Sequence, residues 1–245
     1  VNYTTLSDDD LIEELGMAGR KPERELIQAC LERRQSLTPI LLDLVLDEGD
    51  EEWDEDDLRG YTSIHAGLLL IAFREPKAIP LFMEILVEDW YDDLMDWFSP
   101  HLHHYGSLIV PSLLTVVDDE DESVDSRSTA IEILTNTASR FPEIRQQLIR
   151  TLRSLLPPLK DGSLEVDDPS EDDVELWTWT ADALGDLGDR HSLPVVEALH
   201  QANLIDELVY GDFDDYKREF FSPKGFRVHH RKEAFDIFKA YGYKD

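Results

Sequence analysis

Four short apolar runs, each led by a proline, constrain the fold of this chain more than any other feature. They are Pro39-Ile-Leu-Leu-Asp-Leu-Val-Leu, Pro80-Leu-Phe-Met-Glu-Ile-Leu-Val, Pro111-Ser-Leu-Leu-Thr-Val-Val-Asp and Pro194-Val-Val-Glu-Ala-Leu-His-Gln. Leu41, Phe82, Leu113 and Val196 stand two places after the proline; Leu44, Ile85, Val116 and Leu199 stand five after. That spacing puts both positions on one face of a helix. The proline loses nothing there, because the first turn of a helix has no partner for its N–H. Successive prolines are 41, 31 and 83 residues apart, and the long interval fits two units with a further second helix over 144–156. A period of about 40 residues with two helices per unit is the pattern of stacked helical-pair arrays.

The stretch 60–89 shows why such units need neighbours. Ile64, Leu68, Leu69, Ile71 and Ala72 make its first helix almost wholly apolar. Arg-Glu-Pro-Lys at 74–77 ends that helix, because proline disfavours helical geometry in the residue before it. Phe82, Met83, Ile85 and Leu86 then give the second helix its buried face. Neither helix hides this much apolar surface alone.

Ala181-Asp-Ala-Leu-Gly-Asp-Leu-Gly-Asp-Arg-His-Ser-Leu-Pro194 resembles the end of a first helix, the turn and the second-helix proline of a HEAT-like repeat, and residues 67–80 align with it without a gap. The resemblance reaches from Pro22 to about Asn203. The opening Pro22-Glu-Arg-Glu-Leu-Ile-Gln-Ala-Cys-Leu-Glu-Arg-Arg-Gln-Ser-Leu-Thr-Pro39, followed by Ile64-His65-Ala66, is similar to a bacterial HEAT-like family catalogued as a domain of unknown function. That resemblance implies an all-α, right-handed α-solenoid of about five HEAT-like helical pairs in one domain. Residues 1–21 are expected to form an N-terminal helix, 22–203 the array and 204–245 a C-terminal cap. The family brings no established activity.

Individual residues refine this expectation. Ser7 reads as an N-cap, with Asp8, Asp9 and Asp10 at the positive end of the first helix. Pro22 is expected to open the next helix, on which Leu26, Ile27, Cys30 and Leu31 form the apolar stripe. Cys30 is the one cysteine; it reads as a small core residue, and no internal disulfide is possible. Trp90, Leu94 and Trp97 share a helical face and are expected in the core. Trp177 and Trp179 point different ways, which turns one toward solvent. His101 and His104 lie a turn apart without a completing cysteine, so surface histidines are expected rather than a zinc site. Glu197 and His200 form a single Glu-x-x-His pair where di-iron chemistry needs two. No nucleophile elbow, phosphate-binding glycine loop or H-E-x-x-H occurs. We therefore expect no catalytic residues, no metal and no cofactor.

The charge bears on partners. The formal net charge is −31, with 31 Asp against 8 Lys, a bias similar to that of halophilic proteomes. Direct contact with nucleic-acid backbone needs clustered Lys and Arg and is disfavoured; a basic protein partner is expected. Acidic runs at 47–57, 88–93, 118–122 and 161–173 all leave second helices or lead into first ones, so an array aligns them on one edge. The expected partner site is Asp50, Glu51, Glu52, Trp53 and Asp54 with Asp118, Asp119, Glu120 and Asp121; Trp53 either folds back over the repeat edge or stands out as the anchor. The alternative binding surface is the outer face of the second helices, at Asp43, Glu84, Thr115 and Glu197. Residues 216–245 carry eight Lys or Arg against four acids and are rich in aromatics, which suits an end cap. The leading expectation is a non-catalytic interaction scaffold. A decoy that mimics DNA phosphates is one alternative. A cofactor-attachment or maturation factor is another, from the similarity of Ala183-Leu-Gly-Asp-Leu-Gly-Asp189 to HEAT-like lyases. No apolar run approaches the roughly 20 residues of a membrane span, and a cytoplasmic location is expected.

Overall fold

The computed structural model describes residues 1–46, 58–88, 92–221, 237 and 238. Among these the protein is all-α apart from one two-residue hairpin. The chain forms two compact units, Val1–Leu108 with Arg231–Asp245, and Ile109–His230.

In the first unit, α1 (Asp8–Met17) starts on a reciprocal cap: Ser7 Oγ accepts from the Asp10 N–H at 3.1 Å while the Asp10 carboxylate accepts from the Ser7 N–H at 3.3 Å. This satisfies two backbone donors that the first turn leaves open. Glu23 stands at the N-cap position of α2 (Arg24–Glu32), so Pro22 lies upstream of the helix rather than opening it. α3 (Arg34–Val45) follows after Arg33 alone, and Pro39 lies inside it. The proline-led start fails here because the Leu37 N–H already bonds to Arg33 O at 3.0 Å, which sets the helix before the proline is reached. Leu41 and Val45 are buried as a result, and Leu44 is only half-buried.

α4 (Thr62–Phe73) is buried on nearly every side, packed against α3 and α6 (Asp92–Leu102). α5 (Ile79–Val87) carries Pro80 as its second residue and buries Phe82, Ile85 and Leu86. Met95, Phe98 and Leu102 form the buried face of α6, whereas Leu94 and Trp97 are half-exposed. The expected Leu94–Trp97 core face is thus rotated, and Trp90 lies outside the described residues. The cause is tertiary: the Phe98 ring covers Gly67 so closely that a Cβ there would collide with it. Phe98 also meets Phe82 edge-on at 5.2 Å between ring centres. His65 Nε2–H donates to Gly19 O at 2.7 Å in the interior, and burial lowers its pKa.

In the second unit, α8 (Val124–Arg140) packs against α7 (Val110–Asp118), α9 (Pro142–Leu155) and α10 (Glu171–Asp186). The 161–173 run is not wholly loop. β1 (Leu159–Lys160) and β2 (Ser163–Leu164) pair antiparallel across Asp161 and Gly162, both at positive φ. α11 (Leu193–Gln201) carries Pro194 second and buries Val196 and Leu199. After it come α12 (Glu207–Tyr210) and α13 (Phe213–Phe221). Tyr216 of α13 is buried and donates to Ala181 O at 2.8 Å. The cap helix expected over 231–241 lies outside the described residues except for Ile237 and Phe238, which are buried. No helix among the described residues is long and apolar enough to cross a membrane.

Candidate functional site

α10 divides the acidic features of the second unit. Its first turn, Glu171-Asp172-Asp173, sits at the positive end of the helix macrodipole. Ser170 and Asp173 close a reciprocal cap: Ser170 Oγ accepts from Asp173 N–H at 3.1 Å, and the Asp173 carboxylate accepts from Ser170 N–H at 2.9 Å. Asp173 is therefore committed to its own helix. Glu171 and Asp172 are exposed and free of that task.

On one side of α10 a cleft of about 430 Å³ is lined by Glu120, Glu122, Arg127, Asp172, Asp173 and Trp177, among others. Two of the four expected acidic runs, 118–122 and 161–173, thus meet at one place. Arg127 is the one cation among the described lining residues, and its Nε–H donates to Val117 O at 3.1 Å. Asp118, Asp119, Glu120 and Asp121 are all exposed; of these, Glu120 lines the cleft. Asp119 instead shapes its own turn, accepting from Asp121 N–H at 3.0 Å.

On the other side of α10 lie two cavities that share Trp179. One, of about 450 Å³, is lined by Glu171, Val174, Glu175, Thr178, Asp206 and Val209 along with Trp179. Thr178 holds its wall in place, donating to Val174 O at 2.7 Å and accepting from Asp206 N–H at 3.0 Å. The other, of about 270 Å³, runs along α8 and α10 and is lined by Glu132, Asn136, Asp182 and Asp186 as well as Trp179. Burial, then the neighbouring charges of Asp186, Glu219 and Glu132, push the Asp182 carboxyl up to about 7. Burial also raises Glu132, partly offset by the Asn136 amide.

Asp50, Glu51, Glu52, Trp53 and Asp54 lie outside the described residues. Asp43, Glu84, Thr115 and Glu197 are each exposed on their own helices. Thr115 Oγ donates to Pro111 O at 3.1 Å. Trp177 is buried and Trp179 is 39% exposed, so the two tryptophans do diverge. His104 corrects an expectation: it and His103 are buried, their rings 4.4 Å apart, with His101 half-buried. The 3-10 turn His103–Leu108 that follows α6 folds both rings inward, which i to i+3 counting along a surface helix does not reveal. Cys30 is buried, and desolvation pushes its thiol up to about 12, out of the range of a reactive thiolate. Among the described residues, no three His, Cys, Asp or Glu side chains are grouped as a metal ion needs.

The sequence pointed at Trp179 only as half of an alternation and missed Asp182 altogether. The available signal was an aspartate in the otherwise apolar Ala181-Asp-Ala-Leu184. Its significance depends on α8 bringing Glu132 alongside.

The profile of a family described as Protein of unknown function (DUF1186) matches residues 7–94, from the α1 cap into the first turn of α6. No curated protein and no solved structure gave a match.

Proposed function

We propose that this chain is a HEAT-like α-solenoid of right-handed helical pairs that acts as a non-catalytic interaction scaffold and binds a basic protein through its acidic surface. The pairs are α2 with α3 and α4 with α5 in the first unit, and α8 with α9 and α10 with α11 in the second. Support for the repeat comes from the turns after α4 and α10, which follow one hydrogen-bond plan. The Glu75 N–H bonds to Leu70 O at 3.1 Å and the Asp189 N–H to Leu184 O at 2.8 Å.

The observation that carries the functional reading is the meeting of two acidic runs at one cleft, with Arg127 the one cation among its described lining residues. Such a field steers a positive partner and raises its association rate. The Asp50–Asp54 run joins this reading through its sequence.

Glu120→Gln, Glu122→Gln and Asp172→Asn combined test it, since none of these side chains closes a cap. Association with lysine- and arginine-rich peptides should slow and its dependence on salt should flatten, while dissociation changes little. An unchanged association rate and salt slope would overturn the assignment of the cleft.

A further inference from the structure

Resting on the basic-partner reading above, we infer that the groove between α10 and α12 is an arginine-binding site for a short segment of that partner. The guanidinium covers the indole of Trp179 and meets the carboxylates of Glu171, Glu175 and Asp206, and the methylene stem lies against Val174 and Val209.

Three observations carry this. The first is the order of side chains along α10. Glu171, Glu175 and Trp179 recur at four-residue spacing, so two carboxylates and an indole form one row on the helix. Val174 and Thr178 form the row beside it. Trp179 is 39% exposed and lines the groove, whereas Trp177 is buried. The Trp179 Nε1–H is directed at Glu175 Oε1 at 3.4 Å, which keeps the ring beside the carboxylates. Exposed apolar surface rimmed by polar groups marks an interaction site.

The second is that the walls are already fixed. Asp206 N–H donates to Thr178 Oγ1 at 3.0 Å and Thr178 Oγ1–H to Val174 O at 2.7 Å, which ties the start of α12 to the middle of α10. The Asp206 carboxylate accepts from Leu208 N–H at 2.9 Å and so holds its place at the head of α12. The Ser170–Asp173 cap fixes the turn that carries Glu171. A ligand entering here has little left to order, which lowers the cost of binding. The volume of about 450 Å³ suits a ligand-binding cleft.

The third is complementarity, which selects the occupant. The titratable side chains among the described lining residues are Glu171, Glu175 and Asp206, and Val174, Trp179 and Val209 supply apolar contact. An apolar side chain uses only the second set, and a small inorganic cation gains nothing from the valines. Lysine reaches both sets, but its ammonium is a compact, strongly hydrated charge. The guanidinium is planar and weakly hydrated; it stacks on an indole face and offers paired N–H donors to a carboxylate. Its stem covers apolar surface as long cationic side chains do. Arginine therefore uses the whole lining.

The test uses the full chain and two short fluorescent peptides of equal charge, one carrying arginines and the other lysines at the same positions. The parent protein should hold the arginine peptide several-fold more tightly. Trp179→Ala should weaken that peptide about tenfold and bring the two level, as loss of a stacked aromatic does. Trp179→Phe should keep part of the preference, and circular dichroism of each variant checks the fold. Equal affinity of the parent protein for both peptides would overturn the inference, and so would an arginine preference that survives Trp179→Ala. In either case, slower association of the triple variant of Glu120, Glu122 and Asp172 leaves the acidic-cleft reading standing. If the parent protein binds neither peptide at low salt, both fall. A leucine peptide without cations that binds as tightly would make the groove a purely apolar site and overturn the inference. So would a dimer that Trp179→Ala dissociates, because the occupant would then be a second copy of this chain.

Discussion

The turn after α4 and the turn after α10 lie in different units and share one backbone plan. In the first, Arg74 N–H bonds to Ile71 O and Glu75 N–H to Leu70 O; in the second, Gly188 N–H bonds to Gly185 O and Asp189 N–H to Leu184 O. Each is a paired closure of a helix end on a left-handed residue, Arg74 at φ 51° and Gly188 at φ 64°. In each the following carboxylate pairs with an arginine from an earlier helix, Glu75 with Arg34 of α3 and Asp189 with Arg153 of α9. The chemistry around the shared path differs. Leu68 is buried where the aligned Asp182 is a desolvated acid, and Ala72 corresponds to exposed Asp186. The first unit fixes its turn mainly by apolar packing around α4. The second fixes its turn with polar bonds from Arg145 and Arg153.

The largest expected effect tests the packing side of this contrast. Phe82 and Val196 are aligned, and both are wholly buried. Phe82→Ala should cost about 3–5 kcal/mol, since it removes a ring that also meets Phe98 and Tyr105. Val196→Ala should cost roughly half of that, in line with the smaller apolar area lost. Urea denaturation measures both. Equal losses would mean that the first unit does not lean more heavily on its core.

Next in size is the polar side. The Asp189 side chain is 4% exposed and Glu75 is 14% exposed. Asp189 accepts from Arg153 Nε–H at 2.7 Å and from the His191 N–H at 3.3 Å. Asp189→Ala should cost about 2–3 kcal/mol, because both donors lose a buried partner. Glu75→Ala should cost about 1 kcal/mol or less, its partner Arg34 being half-exposed. Burial pushes the Asp189 carboxyl upward, but the Arg153 hydrogen bond, the His191 N–H and their charges hold it below the ordinary 3.8. A folded-state pKa below the unfolded value gives stability that is present above 3.8 and lost as pH falls through the lowered value. The deficit of Asp189→Asn should therefore shrink in strong acid. A deficit independent of pH would assign Asp189 a purely steric role.

What the sequence made legible follows the same division. Local signals read correctly: the Ser7 cap, the position of Pro80 and Pro194 in the first turn, and the inward set Leu41, Phe82, Leu113 and Val196. Each depends on neighbours within a turn or two. Trp97 departs from expectation because a contact distant in sequence decides it, whereas Pro39 and His104 follow local junctions that helical periodicity does not carry. Phe98 seats on Gly67 and rotates α6, and the α2–α3 junction at Arg33 begins α3 early. The candidate site divides in the same way. The acidic runs are plain in the composition, and their convergence at Glu120 and Asp172 follows from connectivity. The recess around Asp182 depends on which residues α8 and α13 present, and periodicity along α10 carries no record of that.

The smallest expected effect bears most directly on whether the two turns are equivalent. A left-handed residue other than glycine costs roughly 1–2 kcal/mol, and Arg74 bears that cost on an exposed side chain. Arg74→Gly relieves the strain but gives the unfolded chain more freedom, worth about 0.4–1 kcal/mol in the opposite direction. A net gain of about 0.5 kcal/mol is expected, readable as a small rise in the urea midpoint. Gly188→Ala reverses both contributions and adds a steric one, because the new Cβ would lie 3.2 Å from Arg145 Nη2. The Arg145 side chain also donates to Leu187 O at the end of α10, so it cannot withdraw without uncapping that carbonyl. Gly188→Ala should therefore lose more than Arg74→Gly gains. Equal and opposite shifts would show that Arg145 yields freely and that backbone strain alone separates the turns. A loss on Arg74→Gly would show instead that the arginine contributes to its turn and that the first unit also relies on a polar contact there.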